Sequence, residues 1–497
     1  MRLSELVELL DEKRVTGEGD PEITGLSYDS RKVRPGQAFF CIQGLITDGH
    51  LHVNQALDAG AASVFIEKLP EADIEGSVPV VKVPDTRRAL ALCSSRYYGD
   101  PSSGMKLVGI TGTNGKTTTA FLVESICRSA GMTTGLVGTI QCMVAGVAEP
   151  VERTTPESLD LQELLRRMAD AGVEVVAMEV SSHALELHRV AGCRFDVVVF
   201  TNLTQDHLDF HLSLENYFGA KRKLFQSGDY GEGRKGVINV DDPFGRRLLE
   251  ETDLDATGFG FSPGADLRGV DLEVSPSGTS FTLEYGGRAM VMDTPLKGKF
   301  NASNCLAATT ACLELGIDPG TIASGVSRVE GVPGRFESID CGQDFTVIVD
   351  YAHTPDGIRS LMQACNEIAR GRVYLVVGCG GDRDRSKRPV MGRVAVEMSD
   401  CCILTSDNPR GEDPAGIIEM MLSGIPGDVP GDRYRVEVDR AGAIATAIGM
   451  ARKGDMVVIA GKGHESGQVF KGRVVPFDDR EVARKSLAEV PDERRQA

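Results

Sequence analysis

The stretch Gly109-Ile-Thr-Gly-Thr-Asn-Gly-Lys-Thr117 lies between an apolar run, Lys106-Leu-Val-Gly-Ile110, and a helical segment from about Thr118 to Ala130. A strand, a glycine-rich turn and a helix in that order commit the surrounding chain to an α/β sheet. They also aim loop amides and the positive end of a helix at one point, which suits a phosphate. In this reading Gly112, Thr113, Asn114, Gly115, Lys116, Thr117 and Thr118 form a nucleotide cradle. Lys116, expected to be exposed at the loop, neutralises the phosphate, and the Thr117 hydroxyl reaches its Mg²⁺. The strict spacing of such loops requires glycine at position 110, where Ile110 stands, so this loop is a variant.

Near-continuous β-branched runs alternate with helical segments on both sides of the loop, which predicts a parallel sheet covered on both faces. The predicted strands are Val173–Met178, Phe195–Phe200 and Gly236–Asn239. A later set comprises Phe345–Val349, Val373–Val377, Cys402–Leu404 and Met456–Ile459. A shorter unit precedes them, with strands at Ala38–Cys41 and Ser63–Ile66, helices at His52–Gly60 and Thr86–Tyr98, and a breaker ending at Gly104. Three α/β domains are therefore expected: 1–103, 104–330 and 331–497. The glycine-rich, alternating segment 270–294 reads as a hairpin addition outside the central sheet, and the tail 491–497 as frayed.

A net charge of −18 repels a nucleic-acid backbone, yet leaves room for a small anion in a locally positive pocket. No apolar run approaches the roughly 18 residues that span a bilayer, and the first residues lack a signal core, so a cytoplasmic protein without membrane contact is expected. The twelve cysteines form no pair of Cys-x-x-Cys knuckles and are read as buried reduced thiols.

Two strand ends offer oxygen and nitrogen ligands for a cation beside the loop. Glu179 would leave a carboxylate on a buried strand without a partner unless a cation is near. Thr201-Asn-Leu-Thr-Gln-Asp-His207 closes the next strand with polar groups, and His207 gains a functional reading from sharing the sheet edge with the loop.

With the loop, the segments Asn202–His207, Gly298–Asn304, Pro333–Glu337 and Asp350–Pro355 make five ordered motifs. Together they resemble the Mur ligase family, ATP-dependent enzymes that build the peptide of bacterial cell-wall precursors, over essentially the whole chain. The resemblance implies a small N-terminal uridine-binding domain, a central ATP-binding domain and a C-terminal Rossmann-like amino-acid domain. It places Asn301 and Asn304 near the nucleotide, Arg335 at its phosphates, Asp350 at its ribose and His353 in the catalytic cleft. Lys221 matches the lysine that the family carbamylates to N6-carboxylysine, supplying oxygens for a second Mg²⁺ that His207 helps to hold. Asp407-Asn-Pro-Arg410 resembles the signature of members that add meso-diaminopimelate to UDP-N-acetylmuramoyl-L-alanyl-D-glutamate. Arg410 would grip the distal carboxylate, Asn408 would bond either distal group, and Arg383, Asp407, Pro409, Gly461 and Glu465 would complete the pocket, with Glu465 facing the ammonium. Ser30, Thr154, Thr155, Ser181 and Arg189 would hold the muramyl substrate. The implied chemistry is carboxylate activation by ATP through an acyl phosphate; a monomer is expected, although sequence does not fix the oligomeric state. Two rivals stay open: the same reaction with L-lysine or another family ligation, and a nucleotide-gated binding protein without turnover.

Overall fold

Lys106–Thr111 lies inside an eleven-stranded sheet of a computed structural model that describes residues 1–44, 47–68, 78–151 and 153–489. The tail 491–497 falls outside the described residues. The sheet order is Arg288–Thr294, Gly278–Tyr285, Leu267–Ser275, Ala256–Gly260, Lys235–Asn239, Val197–Phe200, Lys106–Thr111, Val175–Glu179, Thr134–Val137, Cys142–Val144, Val147–Glu149. The strands from Leu267–Ser275 through Thr134–Val137 run parallel, and antiparallel strands extend both edges.

Period-two alternation explains why these strands are apolar throughout. Val108, Ile110, Val175, Ala177, Val197 and Val199 pack under the helices Lys116–Ser129 and Lys299–Glu314. Their neighbours Leu107, Val176, Met178, Val198 and Phe200 pack on the opposite face against Ser158–Asp170 and Leu214–Arg222. Each fully buried aliphatic side chain contributes about 1.5–3 kcal/mol, so two covered faces hold the strand ends firmly.

The expected detached hairpin is corrected here. Leu267–Ser275 pairs in parallel with Ala256–Gly260 through Phe259 with Leu267 and Gly260 with Arg268, so residues 267–294 continue the central sheet as an antiparallel edge. One face of these strands is solvated, which gives the alternation, while Phe281, Leu283 and Met292 enter the central core.

A five-stranded sheet precedes this body, ordered Arg14–Thr16, Val80–Lys82, Ser63–Ile66, Gln37–Phe40, Gly25–Ser27 and parallel except at the first pair. The helices Leu3–Val7 and Thr86–Tyr97 cover one face and Val53–Asp58 the other. The last large sheet runs Glu337–Ser338, Thr346–Asp350, Met456–Ala460, Val373–Val377, Cys401–Leu404, Tyr434–Val436, parallel except at its first edge and buried on both faces. All twelve cysteines are free and eleven are buried; Cys341 is exposed. Among the described residues no helix is long and apolar enough to cross a membrane.

Candidate active site

The carboxyl ends of Lys106–Thr111, Val175–Glu179 and Val197–Phe200 open into one cavity of about 310 Å³, whose other wall begins where Thr346–Asp350 ends. The glycine loop forms its floor. Gly112 (φ 152°) lies against the next strand end, and a Cβ there would fall 1.9 Å from Thr201 Oγ1. Gly115 (φ 87°) faces Asn304 as closely, with its imagined Cβ 2.3 Å from Oδ1. Only glycine permits both approaches. Thr201 Oγ1 donates to Asn114 O (2.6 Å), and Asn202 both accepts from Asn114 N (2.9 Å) and donates to Asn114 O (3.1 Å). The helix begins at Lys116, two residues earlier than expected, so its first amides face the cavity.

Lys116 is not exposed as anticipated. Its ammonium donates to the carbonyls of Gly112 and Thr113, 2.9 Å each, and burial lowers its pKa, with Glu179 opposing and Arg335 adding to the shift. Glu179 is 1% exposed. Its Oε2 accepts from Thr117 Oγ1 and Thr139 Oγ1 (3.0 Å each), and Oε1 accepts from Thr139 N (2.8 Å). Thr117 Oγ1 also accepts from Arg335 Nη2 at 3.1 Å. Thr117 and Glu179 thus offer paired oxygens beside the phosphate loop, a donor set that fits Mg²⁺ completed by phosphate and water oxygens. Among the described residues no cluster of three or more His, Cys, Asp or Glu side chains is arranged to hold a metal.

Lys221 is 1% exposed, unlike its neighbours Arg222 and Lys223, which pair with Glu251 and Glu186 at the surface. Its Nζ donates to Gly112 O (2.9 Å), beneath the loop, and lies 4.6 Å from the Tyr217 ring centre. Burial, reinforced by Lys116, holds its pKa well below the ordinary lysine range, although Asp206 pulls the other way. His207 adopts a left-handed backbone (φ 54°), and burial drives its pKa down to about 3. Its Nε2 is 3.4 Å from Asp206 Oδ2.

Asp206 received no role from sequence, yet it joins the two walls. His353 Nε2 lies 3.6 Å from Oδ2 and Lys387 Nζ 3.5 Å from Oδ1. Burial alone would raise its pKa, but His353, His207 and Lys387 together hold the carboxyl well below the usual range. Beside it, Gln205 Nε2 donates to Asp384 Oδ2 (3.3 Å) and Ser386 Oγ (3.1 Å). Thr139 was also missed. Thr139 carries no signal along the chain, and Asp206 lies within the Asn202–His207 motif with nothing to mark its role, because each acts through partners far away in sequence.

Thr154, Ser181, Asn304, Arg335, Asp350 and His353 line the same cavity as the loop, Glu179 and His207. Arg335 stacks on Tyr351 at 4.3 Å, and Asp350 accepts from Phe336 N (2.6 Å) and Ala352 N (2.7 Å). Asn301 stands one step back from the cavity. It does not line this cavity; its Oδ1 accepts from Asn304 Nδ2 (3.2 Å) and so supports Asn304 from behind. Thr155 is buried under the floor, donating to Glu179 O (2.9 Å), and Arg189 pairs with Glu157 at 2.8 Å. Ser30 lies in the N-terminal unit, where its hydroxyl donates to Gln55 Oε1 (2.8 Å).

The last expected group gathers at the ends of Cys401–Leu404 and Met456–Ala460. Arg410, held at φ 50°, donates to Gly381 O (2.8 Å), and burial together with Arg383 lowers its pKa. Asn408 Nδ2 donates to Glu465 Oε2 (2.8 Å). Pro409 O accepts from Glu412 N (2.9 Å), and Gly461 N donates to Asp350 O (3.1 Å), tying this group to the cavity wall. Burial opposes ionisation of Asp407, but Arg440 and Lys462 outweigh it and lower its pKa. Four non-glycine residues with positive φ, His207, Phe336, Asp382 and Arg410, sit in the loops of these two groups, where strain is tolerated when it fixes functional geometry.

A sheet-edge phosphate loop facing a second α/β body defines a nucleotide-dependent enzyme of two opposed walls, and the comparisons specify which. Profiles of the Mur ligase middle domain, the Mur ligase glutamate ligase domain and the Mur ligase family catalytic domain match residues 110–312, 334–463 and 22–98. The chain belongs to the Mur ligase family. Among its relatives is a UDP-N-acetylmuramoyl-L-alanyl-D-glutamate–2,6-diaminopimelate ligase of Syntrophomonas wolfei, 47% identical over 98% of this chain and 99% of its own length. A Gloeobacter violaceus protein of the same name is 48% identical over 98% of both. A solved structure of a ligase with that name superposes with a TM-score of 0.67 at 33% identity, covering 94% of this chain and 95% of that one. The MurF ligase of Thermotoga maritima, solved with ADP, shares the fold at a TM-score of 0.61 and 18% identity, covering 95% and 97%.

Proposed function

We propose that this chain joins meso-diaminopimelate to UDP-N-acetylmuramoyl-L-alanyl-D-glutamate at the expense of ATP. The observation that carries the reading is one cleft with a phosphate loop on one wall and, tied to the other through Gly461 and Asp350, a group that gathers the guanidiniums of Arg383 and Arg410 and the carboxylate of Glu465. An amino acid with a distal carboxylate and a distal ammonium would complement Arg383 and Arg410 with the one and Glu465 with the other. The proposed division of labour is 1–103 for the uridine end, with Ser30; 104–330 for ATP and, through Thr154, Thr155, Ser181 and Arg189, for the dipeptide; and 331–497 for the incoming amino acid.

The γ-carboxylate of the D-glutamyl residue attacks the γ-phosphorus of ATP, ADP departs, and an acyl phosphate forms. The incoming amine loses its proton and attacks the acyl carbon, and phosphate leaves as the amide closes. Residues 112–118 orient the phosphates, Lys116 and Arg335 screen the transferring charge, and Asp350 and Asn304 hold the nucleoside end. Thr117 and Glu179 would hold Mg²⁺, which supplies charge neutralisation on the phosphate oxygens. Lys221 is favoured for carbamylation because burial lowers its pKa and so raises the share of neutral amine able to add CO₂, and the product carbamate would hold a second Mg²⁺ together with His207. His353, joined to Asp206, borders the place where the acyl phosphate meets the amine. Every residue in this scheme comes from one chain, so a monomer would hold a complete site, and buried free thiols fit the cytoplasm. Hydroxylamine offers the test: with ATP and the muramyl dipeptide but no amino acid, it should trap a hydroxamate. Absence of the hydroxamate under conditions of full turnover would remove the acyl phosphate from the scheme.

A further inference from the structure

Lys462 is a fully buried lysine inside the amino-acid group, and neither the family motifs nor the mechanism above gives it a task. Its ammonium donates to Asn408 Oδ1 (3.1 Å) and to Glu465 Oε2 (2.8 Å). Asn408 Oδ1 also accepts from the backbone N–H of Val469 (3.0 Å). Two donors converge on that oxygen, which sets the amide orientation and turns Nδ2 toward Glu465. One Nδ2 hydrogen goes to Glu465 Oε2 (2.8 Å), so the other is the group that Asn408 offers to a ligand. Asn408, which by residue type alone would bond either polar group of the amino acid, is therefore restricted to an acceptor such as a carboxylate. Glu465 is restricted in the complementary way: Oε2 accepts from Lys462 and Asn408, and Oε1 is left to take an ammonium.

We propose that Lys462 is a specificity-positioning residue that sets Asn408 to read the distal carboxylate and Glu465 to read the distal ammonium of the incoming amino acid. This rests on the reading of residues 407–410 and 461–465 as the diaminopimelate pocket. The charge balance argues the same way. Arg383, Arg410, Lys462 and Arg440 stand against Glu465, Asp407 and the Asp479 that pairs with Arg440, a surplus of one positive charge that suits a ligand whose distal end brings an additional carboxylate. Removing the Lys462 charge cancels the surplus, so a carboxylate is attracted less and a lone ammonium more. A purely structural lysine, kept to neutralise buried Asp407, would affect every amino acid alike.

The test is steady-state kinetics of wild type and Lys462→Met, a substitution close in length and shape that lacks the charge and donors. Each enzyme is assayed with meso-diaminopimelate and with L-lysine, with the KM for ATP and the thermal midpoint measured alongside. The expected result is a rise in the KM for diaminopimelate and a fall of about tenfold or more in the ratio of kcat/KM for diaminopimelate over lysine, as befits loss of a charge-assisted contact. The KM for ATP should stay within about twofold, because the Lys462 ammonium bonds Asn408 and Glu465 and none of the residues assigned to the nucleotide. An unchanged ratio, whether both amino acids suffer equally or neither does, overturns the inference and leaves the pocket reading standing. A wild type that forms no amide with diaminopimelate overturns both. Where Lys462→Met does not fold, Lys462→Gln, which keeps an uncharged donor, is read by the same ratio, with a smaller fall expected.

Discussion

Lys221 departs furthest from the ordinary chemistry of its residue type. An unmodified ammonium enclosed beneath the phosphate loop, bonded to one carbonyl, is costly for the folded chain. Its folded pKa is lowered relative to the unfolded chain, so the unfolded state binds the proton more tightly. Stability contributed by this site therefore increases as pH rises from the folded value toward the usual lysine range, and is least below the folded value. In CO₂-depleted buffer near neutral pH, Lys221→Met should raise the thermal midpoint by about 2–4 °C, flatten that pH slope, and abolish turnover. A less stable variant would mean that the ammonium is better compensated than its neighbours indicate. Lys116→Ala tests the loop itself. Turnover should drop about 10²–10³-fold, as when one donor to a developing negative charge is lost. Retained turnover would show that the loop does not hold the transferring phosphate.

At the scale of elements, the join between the loop and the strand ending at Phe200 is the critical one. Gly112→Ala must push a methyl group into Thr201 Oγ1, displacing the segment that brackets Asn114. Calorimetric titration with ADP should show at least about tenfold weaker binding, from lost positioning of the loop amides. Undiminished affinity would mean that the loop tolerates movement of its buttress. The strands around this join were legible in sequence because parallel strands covered on both faces read as unbroken apolar runs. Residues 267–294 were not, because a half-solvated edge alternates like an independent hairpin, and its connection to the sheet is a two-residue pairing that leaves no pattern. Side-chain roles divided in the same way. Gly115, Lys116 and Glu179 announce themselves by type and position. Asp206, Thr139 and Lys462 depend on partners that only the packed chain brings near, and Asn301 supports the site from behind rather than lining it.

For the whole molecule, a chain of net charge −18 sets two cations, Lys116 and Arg335, on the lining of its cleft among the carboxylates Glu179, Asp206, Asp350 and Asp356. The positive charge is local to the phosphate loop and the facing guanidinium, where an anion is expected, and neither the surface nor the cleft as a whole is basic. The two walls are held together by Asp206 with His353 and Lys387, by Gln205 with Asp384 and Ser386, and by Arg335 with Thr117. Asp206→Asn should loosen this docking and lower kcat by about tenfold or more, because closure both aligns the reactants and excludes water from the acyl phosphate. X-ray scattering in the presence of ATP should report a larger radius of gyration for the variant. An unchanged radius together with unchanged turnover would show that Asp206 does not join the walls in solution.

The claim that ATP is spent to form an amide between a muramyl dipeptide and diaminopimelate is tested most directly by phosphate release in single-omission reactions. Release should be fast only when ATP, UDP-N-acetylmuramoyl-L-alanyl-D-glutamate and meso-diaminopimelate are all present, and should match amide product one for one. Sustained release that is indifferent to the amino acid, or that continues with no amide formed, would contradict it.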